Sequence, residues 1–189
     1  LGSLLAVTFT VLLWMGHEIY QHAPPLPERV VAANGQTLFT RADMESGRQV
    51  WQSIGGQQLG SIWGHGALIA PDWSADWLHR ESDELLGLWA RSEGAQWKDL
   101  DEGRQEALKA RLRKELRTNT YDASNGTLSV SDDRALAISN VAAHYESLFG
   151  NDPATAKLRE TYAMRDGTVD TPEHRRELTA FFFWSAWAT

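Results

Sequence analysis

Residues 1–16 form an uncharged, mostly apolar run, LGSLLAVTFTVLLWMG, at the start of the chain. As a helix this run would be about 24 Å long, slightly short of a hydrocarbon core of about 30 Å. We expect a few residues before Leu1 to complete the span. A signal peptide is the alternative, but the sequence at His17–Tyr20 is not a cleavage site of small residues. The sequence therefore predicts a membrane anchor over residues 1–20.

A second apolar run lies at the other end of the chain. Residues 171–173, Thr-Pro-Glu, combine the cap hydroxyl, early proline and first-turn acid of a helix start. The helix continues into FFFWSAWA at 181–188, which is apolar on every face. Such a pattern is typical of a buried core helix or of a membrane helix. Because Trp184 and Trp187 suit a membrane interface, we expect residues 171–189 to begin a second membrane span.

Composition excludes several classes of function. The chain carries a net charge of −7 and no cysteine over its 189 residues. An acidic balance argues against a nucleic-acid partner, which requires clustered Lys and Arg. The lack of cysteine excludes disulfides, thiolate nucleophiles, Cys-ligated zinc, iron–sulfur clusters and thioether-bound haem.

Between the apolar runs the chain is predicted to form a mainly helical domain with small β-hairpins. Residues 21–40 are a Pro-rich exit followed by a hairpin, because Asn34-Gly35 separates two apolar segments. Residues 41–170 form the helical domain, which begins at a capping box of Thr40 and Asp43. Apolar periodicity predicts helices at about 40–54, 74–91, 101–117, 132–149 and from 153, with a strand at 127–130.

No catalytic constellation is visible in the sequence. The Gly-rich loop at 55–72 has neither the spacing nor the lysine of a phosphate loop. No nucleophile elbow and no dinucleotide fingerprint occur. The histidines are scattered over different elements without metal-site spacing, so we predict no metal site from them. They are His17, His22, His65, His79, His144 and His174.

Three segments carry a resemblance to a known family. They are GRQVWQSIGGQQLGSIWGHGALIAPDWSADWL at 47–78, APPLPERV at 23–30 and FFFW at 181–184. Together they resemble the amino-terminal region of quinol-dependent nitric oxide reductases, over nearly the whole chain. The resemblance implies a membrane helix followed by a domain of cytochrome c fold, on the periplasmic side of a bacterial inner membrane.

The loop also resembles the cytochrome c subunit of cytochrome-dependent nitric oxide reductases. There a Val-Trp-Gln helix, here at 50–52, leads into a Cys-x-x-Cys-His motif. The two cysteine positions fall on Gly56 and Leu59, and the histidine position falls on Gly60. The resemblance therefore implies a cytochrome c-like domain without haem, as in the quinol-dependent branch. Of the nine tryptophans, we expect five to refill the vacated volume: Trp51, Trp63, Trp73, Trp77 and Trp89.

The resemblance implies a parent enzyme that reduces two NO to N₂O and water with quinol electrons, in denitrification or NO detoxification. Its haem b, haem b₃ and non-haem iron would be held by residues beyond Thr189, so no catalytic residue is expected here. This region would anchor the enzyme in lipid, cap the catalytic membrane helices and border the quinol pocket. A calcium ion held by related loops would find at most the Gly66 carbonyl, since the Leu68 side chain has no oxygen.

A second class of function has the same general plan. An anchor, a helical domain and a second membrane helix also describe the ligand-sensing receptors of bacteria. The region after the second span would separate the two classes: a signalling module in a receptor, or further His-bearing membrane helices in a reductase. A plain interaction module is a third alternative if the second apolar run is only a core helix.

Overall fold

The computed structural model describes residues 2–21, 23–64, 67 and 69–189. Its helices and strands alternate in short groups along the chain. In order they are α1 (Gly2–Gln21), β1 (Arg29–Ala32), β2 (Thr37–Thr40), α2 (Arg41–Ser53), α3 (Trp73–Ser92), α4 (Glu102–Arg117), β3 (Tyr121–Asp122), β4 (Thr127–Val130), α5 (Asp132–Phe149), α6 (Ala156–Thr161) and α7 (Pro172–Trp187). Three 3₁₀ turns lie at Gly56–Gln58, Trp97–Asp99 and Pro153–Thr155.

Helix α1 is exposed along almost all of its described length. Its segment Gly2–Ile19 is long and apolar enough to cross a membrane, and none of that segment is buried. The hydroxyls of Thr8 and Thr10 donate to the carbonyls four residues earlier, Leu4 and Ala6. Because these hydroxyls are satisfied within the helix, they add little cost in an apolar surrounding.

The predicted hairpin is present, and it forms part of a larger sheet. Strands β1 and β2 pair antiparallel around Asn34 and Gly35, and Gly35 adopts a φ of 88° that favours glycine. Strand β1 also pairs in parallel with β4, and β3 completes the order β2-β1-β4-β3. The sequence predicted β4 but not its pairing, since the partner strands are nearly one hundred residues apart in the chain.

The helix starts follow the capping chemistry of the sequence. Thr40 and Asp43 form the predicted capping box at the start of α2. Side chains of Asp72, Asp101, Ser131 and Thr171 accept from backbone N–H groups at the starts of α3, α4, α5 and α7. Each such bond satisfies an orphan donor in the first turn and fixes where the helix begins.

Helices α2 and α7 cross at a glycine. A Cβ on Gly47 would lie 2.0 Å from the carbonyl oxygen of Glu177 and 2.9 Å from Cβ of Phe181. The backbones therefore approach more closely than any side chain at this position allows. The expected inner face of α2, formed by Met44, Gly47, Val50 and Trp51, is buried as predicted.

The structure corrects the expected second membrane span. Residues Phe181, Phe182 and Phe183 are at most 5% exposed and lie in the hydrophobic core of the domain. Among the described residues, only the segment in α1 is long and apolar enough to cross a membrane. The run in α7 is apolar on every face because α2, α3 and α5 pack around it, which is the core-helix alternative.

We expect Gly47→Ala to lower the free energy of unfolding by about 3 kcal/mol, because the new methyl group meets backbone atoms that cannot move aside. Thermal unfolding of the chain in mild detergent, followed by circular dichroism, measures the change. The matched control is Gly87→Ala in the middle of α3, where the new Cβ meets only the flexible end of Arg91, at 3.1 Å. Equal stability of the two variants would contradict the close crossing of α2 and α7.

Candidate functional site

The loop between α2 and α3 is the candidate site, because it contains the three positions that the resemblance aligns with a haem-binding motif. Gly55 has a φ of 68° and Gly60 a φ of 147°, so the chain reverses direction around the 3₁₀ turn between them. The loop then closes on itself, since Ser61 N–H donates to Pro71 and Trp73 N–H donates to Ser61. The two ends of the loop therefore meet at the start of α3.

Asp72 fixes this closure. Its carboxylate accepts from the Ser61 hydroxyl at 2.6 Å, from Gly64 N–H at 2.7 Å and from Ala75 N–H at 3.0 Å, and also from the Ser74 hydroxyl. Burial alone would raise the pKa of Asp72, but these hydrogen bonds favour the charged form and lower the pKa overall. One ionised side chain thus caps α3 and holds the loop in place.

Two indole rings occupy the space beside the expected haem-motif positions. A Cβ on Gly56 would lie 2.1 Å from the ring of Trp51. A Cβ on Gly60 would lie 2.3 Å from Nε1 of Trp73 and 2.6 Å from the Pro71 carbonyl oxygen. Side chains at these two positions would therefore displace Trp51 and Trp73. Leu59, at the third position, is partly buried and packs on the core.

Trp73 is the centre of an aromatic cluster. Its ring is fully buried, and four other rings lie with centroids 5.4–6.0 Å from it. These belong to Tyr145, Phe149, Tyr162 and Phe182. Edge-to-face and offset contacts at this distance stabilise beyond the area they bury, by about 0.5–1.5 kcal/mol per pair.

Trp77 and Trp51 extend the cluster on either side. Trp77 stacks on Tyr145 with an interplanar angle of 4° and centroids 5.4 Å apart. Trp51 presents its edge to Phe182 at 5.5 Å. Three of the five tryptophans expected to refill a haem volume therefore lie in this cluster.

The other two tryptophans lie elsewhere, contrary to expectation. Trp63 is 50% exposed, and Trp89 packs in a second cluster with Leu85, Leu108 and Ala137. Two clefts of about 460 Å³ flank the loop at the surface, one beside Trp63 and one beside Trp51 and Arg48. Neither cleft is lined by Trp73.

A comparison of the sequence with models of protein families identifies the family of this chain. The model of the NorB cytochrome c-like domain, a part of nitric oxide reductase, matches residues 27–189. The chain belongs to this family. No curated protein matches it.

A cytochrome c fold implies a c-type haem, and the residues of this cytochrome c-like domain do not fit one. Covalent attachment requires cysteine thiolates, and the chain has none. The position expected for the axial histidine is Gly60, whose side is closed by Trp73. Both the lack of haem-attaching side chains and the close packing around Gly60 are therefore incompatible with a c-type haem at this loop.

A buried ion pair that the sequence pattern does not predict borders the aromatic cluster of this reductase domain. Glu81 and Arg134 are 1% and 4% exposed and lie 2.7 Å apart, and Trp77 Nε1 donates to Glu81 at 2.9 Å. One feature of the sequence could have indicated a buried charge: Glu81 lies four residues after Trp77, on the otherwise apolar stripe of α3. Its partner is 53 residues away, so no local pattern reveals the pair.

A second polar group lies at the edge of the cluster. Asp76 accepts from Arg80 at 2.7 Å and from the Tyr145 hydroxyl at 2.6 Å. Burial, and then the Asp76 charge, raise the pKa of Tyr145 well above its ordinary value. His144 Nε2 is buried and has no hydrogen-bond partner among the described residues.

The four histidines that the structure describes lie on separate helices and form no common group. His17 contacts Gln21, His79 pairs with Asp83 at 3.4 Å, and His144 and His174 lie on α5 and α7. Within the described ranges no three His, Asp or Glu side chains form a group that could hold a metal. Gly66, the only expected calcium contact, lies outside the described residues together with His22, His65 and Leu68.

We expect Trp73→Ala to lower the free energy of unfolding by about 3–5 kcal/mol, because it leaves a cavity at the centre of the cluster. Trp73→Phe should cost less than about 1.5 kcal/mol, since it keeps most of the ring volume. Trp97→Ala, at a partly exposed ring of the second cluster, is the control. Thermal unfolding in detergent measures the loss of stability in the three variants. A loss for Trp73→Ala no larger than that for Trp97→Ala would contradict the central position of Trp73.

Stability should fall as the pH falls below about 6.5, partly through His144. Burial, and then the Arg80 charge, lower the pKa of His144 in the fold, with Asp76 opposing. Between that lowered pKa and the ordinary one, the unfolded chain binds the extra proton, so acid favours unfolding. His144→Gln should flatten the fall in melting temperature from pH 7 to pH 5. An equally steep fall in the His144→Gln variant would contradict this role of His144.

Proposed function

We propose that this chain is the amino-terminal anchoring and capping region of a quinol-dependent nitric oxide reductase. The parent enzyme would convert two NO and one quinol into N₂O, water and quinone. The observation that carries the proposal is the combination of family and site. A cytochrome c-like domain of the NorB family has Gly56 and Gly60 where a haem motif would be, each closed by an indole.

The quinol assignment rests on where electrons enter. A domain that bound c-type haem would accept electrons from a soluble cytochrome and pass them on. This domain offers no thiolate for attaching that haem, and its core volume holds Trp51, Trp73 and Trp77 instead. A domain without such a haem is consistent with an electron donor that reaches the membrane-embedded part of the enzyme directly, such as a lipid-soluble quinol.

The anchor and its side of the membrane belong to the same proposal. Helix α1 would cross the bacterial inner membrane, since Gly2–Ile19 has the length and composition to do so. The domain would lie on the periplasmic side and cap the catalytic helices of the same polypeptide. The haem b, haem b₃ and non-haem iron, and any calcium, would then be bound outside the residues that the structure describes.

The test uses the full-length protein purified from membranes. Its dithionite-reduced minus oxidised spectrum should show b-type haem without a c-type band. The same preparation should consume NO when supplied with a quinol, and not when supplied with reduced cytochrome c. Cytochrome-driven turnover with a c-type band would overturn the quinol assignment.

A colourless protein that ends in a signalling module would support the ligand-sensing alternative instead. The family match favours the reductase, because it covers residues 27–189 and names a domain of nitric oxide reductase.

A further inference from the structure

The segment that leaves α1 is fixed to the end of α7. Trp184 Nε1 donates to the Pro25 carbonyl at 3.1 Å, and an Arg41 guanidinium N–H donates to the Leu26 carbonyl at 2.7 Å. Pro27 is buried immediately afterwards. The chain therefore enters the domain along one defined edge.

This attachment places the last turn of α7 close to the end of the anchor. Pro25 is four positions after Gln21, where α1 ends. An extended chain of that length reaches at most about 14 Å. Trp184, bonded to Pro25, is therefore held near the point where the chain leaves a membrane crossed by α1.

The same end of the domain carries a group of partly exposed aromatic rings. Trp63 is 50% exposed, and its ring lies 5.3 Å from that of Trp184, between centroids. Trp187, one turn further along α7, is partly buried. Arg117 is exposed and lies beside Trp187 and Pro24 around a cleft of about 260 Å³. We call Trp63, Trp184, Trp187 and Arg117 the Trp face.

The fold holds Trp63 outward at a conformational cost. Its φ of 55° is in the left-handed region, which is strained for a residue other than glycine. Its Nε1 donates to the Ser185 carbonyl at 2.6 Å, and its N–H donates to the Ser74 hydroxyl at 3.1 Å. These bonds aim a large apolar ring at the surface beside the anchor rather than into the core.

We propose that the Trp face is seated in the headgroup layer of the membrane that α1 crosses. Tryptophan is enriched in this layer because its large ring is mostly apolar but carries one polar N–H group. Arg117 suits the phosphates of the same layer. The proposal rests on the anchor in the proposed function and adds the surface through which the domain meets lipid.

Residues 1–189 contain no cysteine, so a labelled cysteine can be introduced into this region without replacing a native one in it. Asn119→Cys places a fluorescent bimane beside Trp187 and Pro24. Glu173→Cys places the same probe at an exposed site near the start of α7, about 21 Å along the helix from Trp187. The full-length protein is reconstituted in phosphatidylglycerol-containing vesicles, with nitroxide headgroup lipids and aqueous iodide as the two quenchers.

We expect the headgroup nitroxide to quench the probe at position 119 severalfold more than the probe at position 173. Trp63→Ser should reduce this quenching, while Trp97→Ser should not. Quenching at position 119 by iodide alone would overturn the proposal, because the face would then be in water. Protection from both quenchers would also overturn it, because other membrane helices would then cover the face.

A separate readout distinguishes failure of the anchor. Leu12→Cys places the same probe at an exposed position in the middle of α1, where an acyl-chain nitroxide should quench it. An unquenched probe at position 12 would contradict the anchor itself, whereas quenching at position 12 with an unquenched probe at position 119 would contradict only the seat of the Trp face.

Discussion

The structure depends on the burial of the Trp73 indole at the point where the loop returns to α3. This ring touches the backbone side of Gly60 and contacts aromatic side chains from α5, from the end of α6 and from α7. Its Nε1 finds no acceptor among the described residues, which costs about 1–3 kcal/mol. Because the Nε1 hydrogen bond is missing among these residues, Trp73 stabilises the fold through the space that its ring fills. Under the proposed function, this ring volume fills space that a haem would otherwise occupy.

Glycine is required on both sides of this packing. At Gly47 the absence of a side chain lets α2 and α7 touch, and at Gly60 it lets Trp73 lie against the loop. The first contact joins the two helices that frame the core, and the second closes the core between them. The helix crossing and the ring packing are linked through α7. Phe181 lies against Gly47 at the crossing, and the adjacent Phe182 stacks on Trp73.

Local chemistry was predictable from the sequence, and long-range pairing was not. The hairpin at Asn34-Gly35 and the capping box at Thr40 depend on residues within a few positions, and both predictions are confirmed. The parallel pairing of β1 with β4 and the ion pair of Glu81 with Arg134 join distant segments that carry no mutual signal. The assignment of haem-motif positions to Gly56, Leu59 and Gly60 depends only on the resemblance, since glycine and leucine have no chemistry of their own.

The error at α7 has a physical cause that also limits how the domain can meet a membrane. A helix apolar on every face has the same pattern whether lipid or protein surrounds it. Here protein surrounds Phe181–Phe183, so that stretch has no surface left for lipid. Within this apolar run of α7, only Trp184 and Trp187 reach the edge of the domain, and Trp184 contacts the segment leaving α1. Under the proposed function, one helix therefore completes the core with its middle and positions the domain on the membrane with its end.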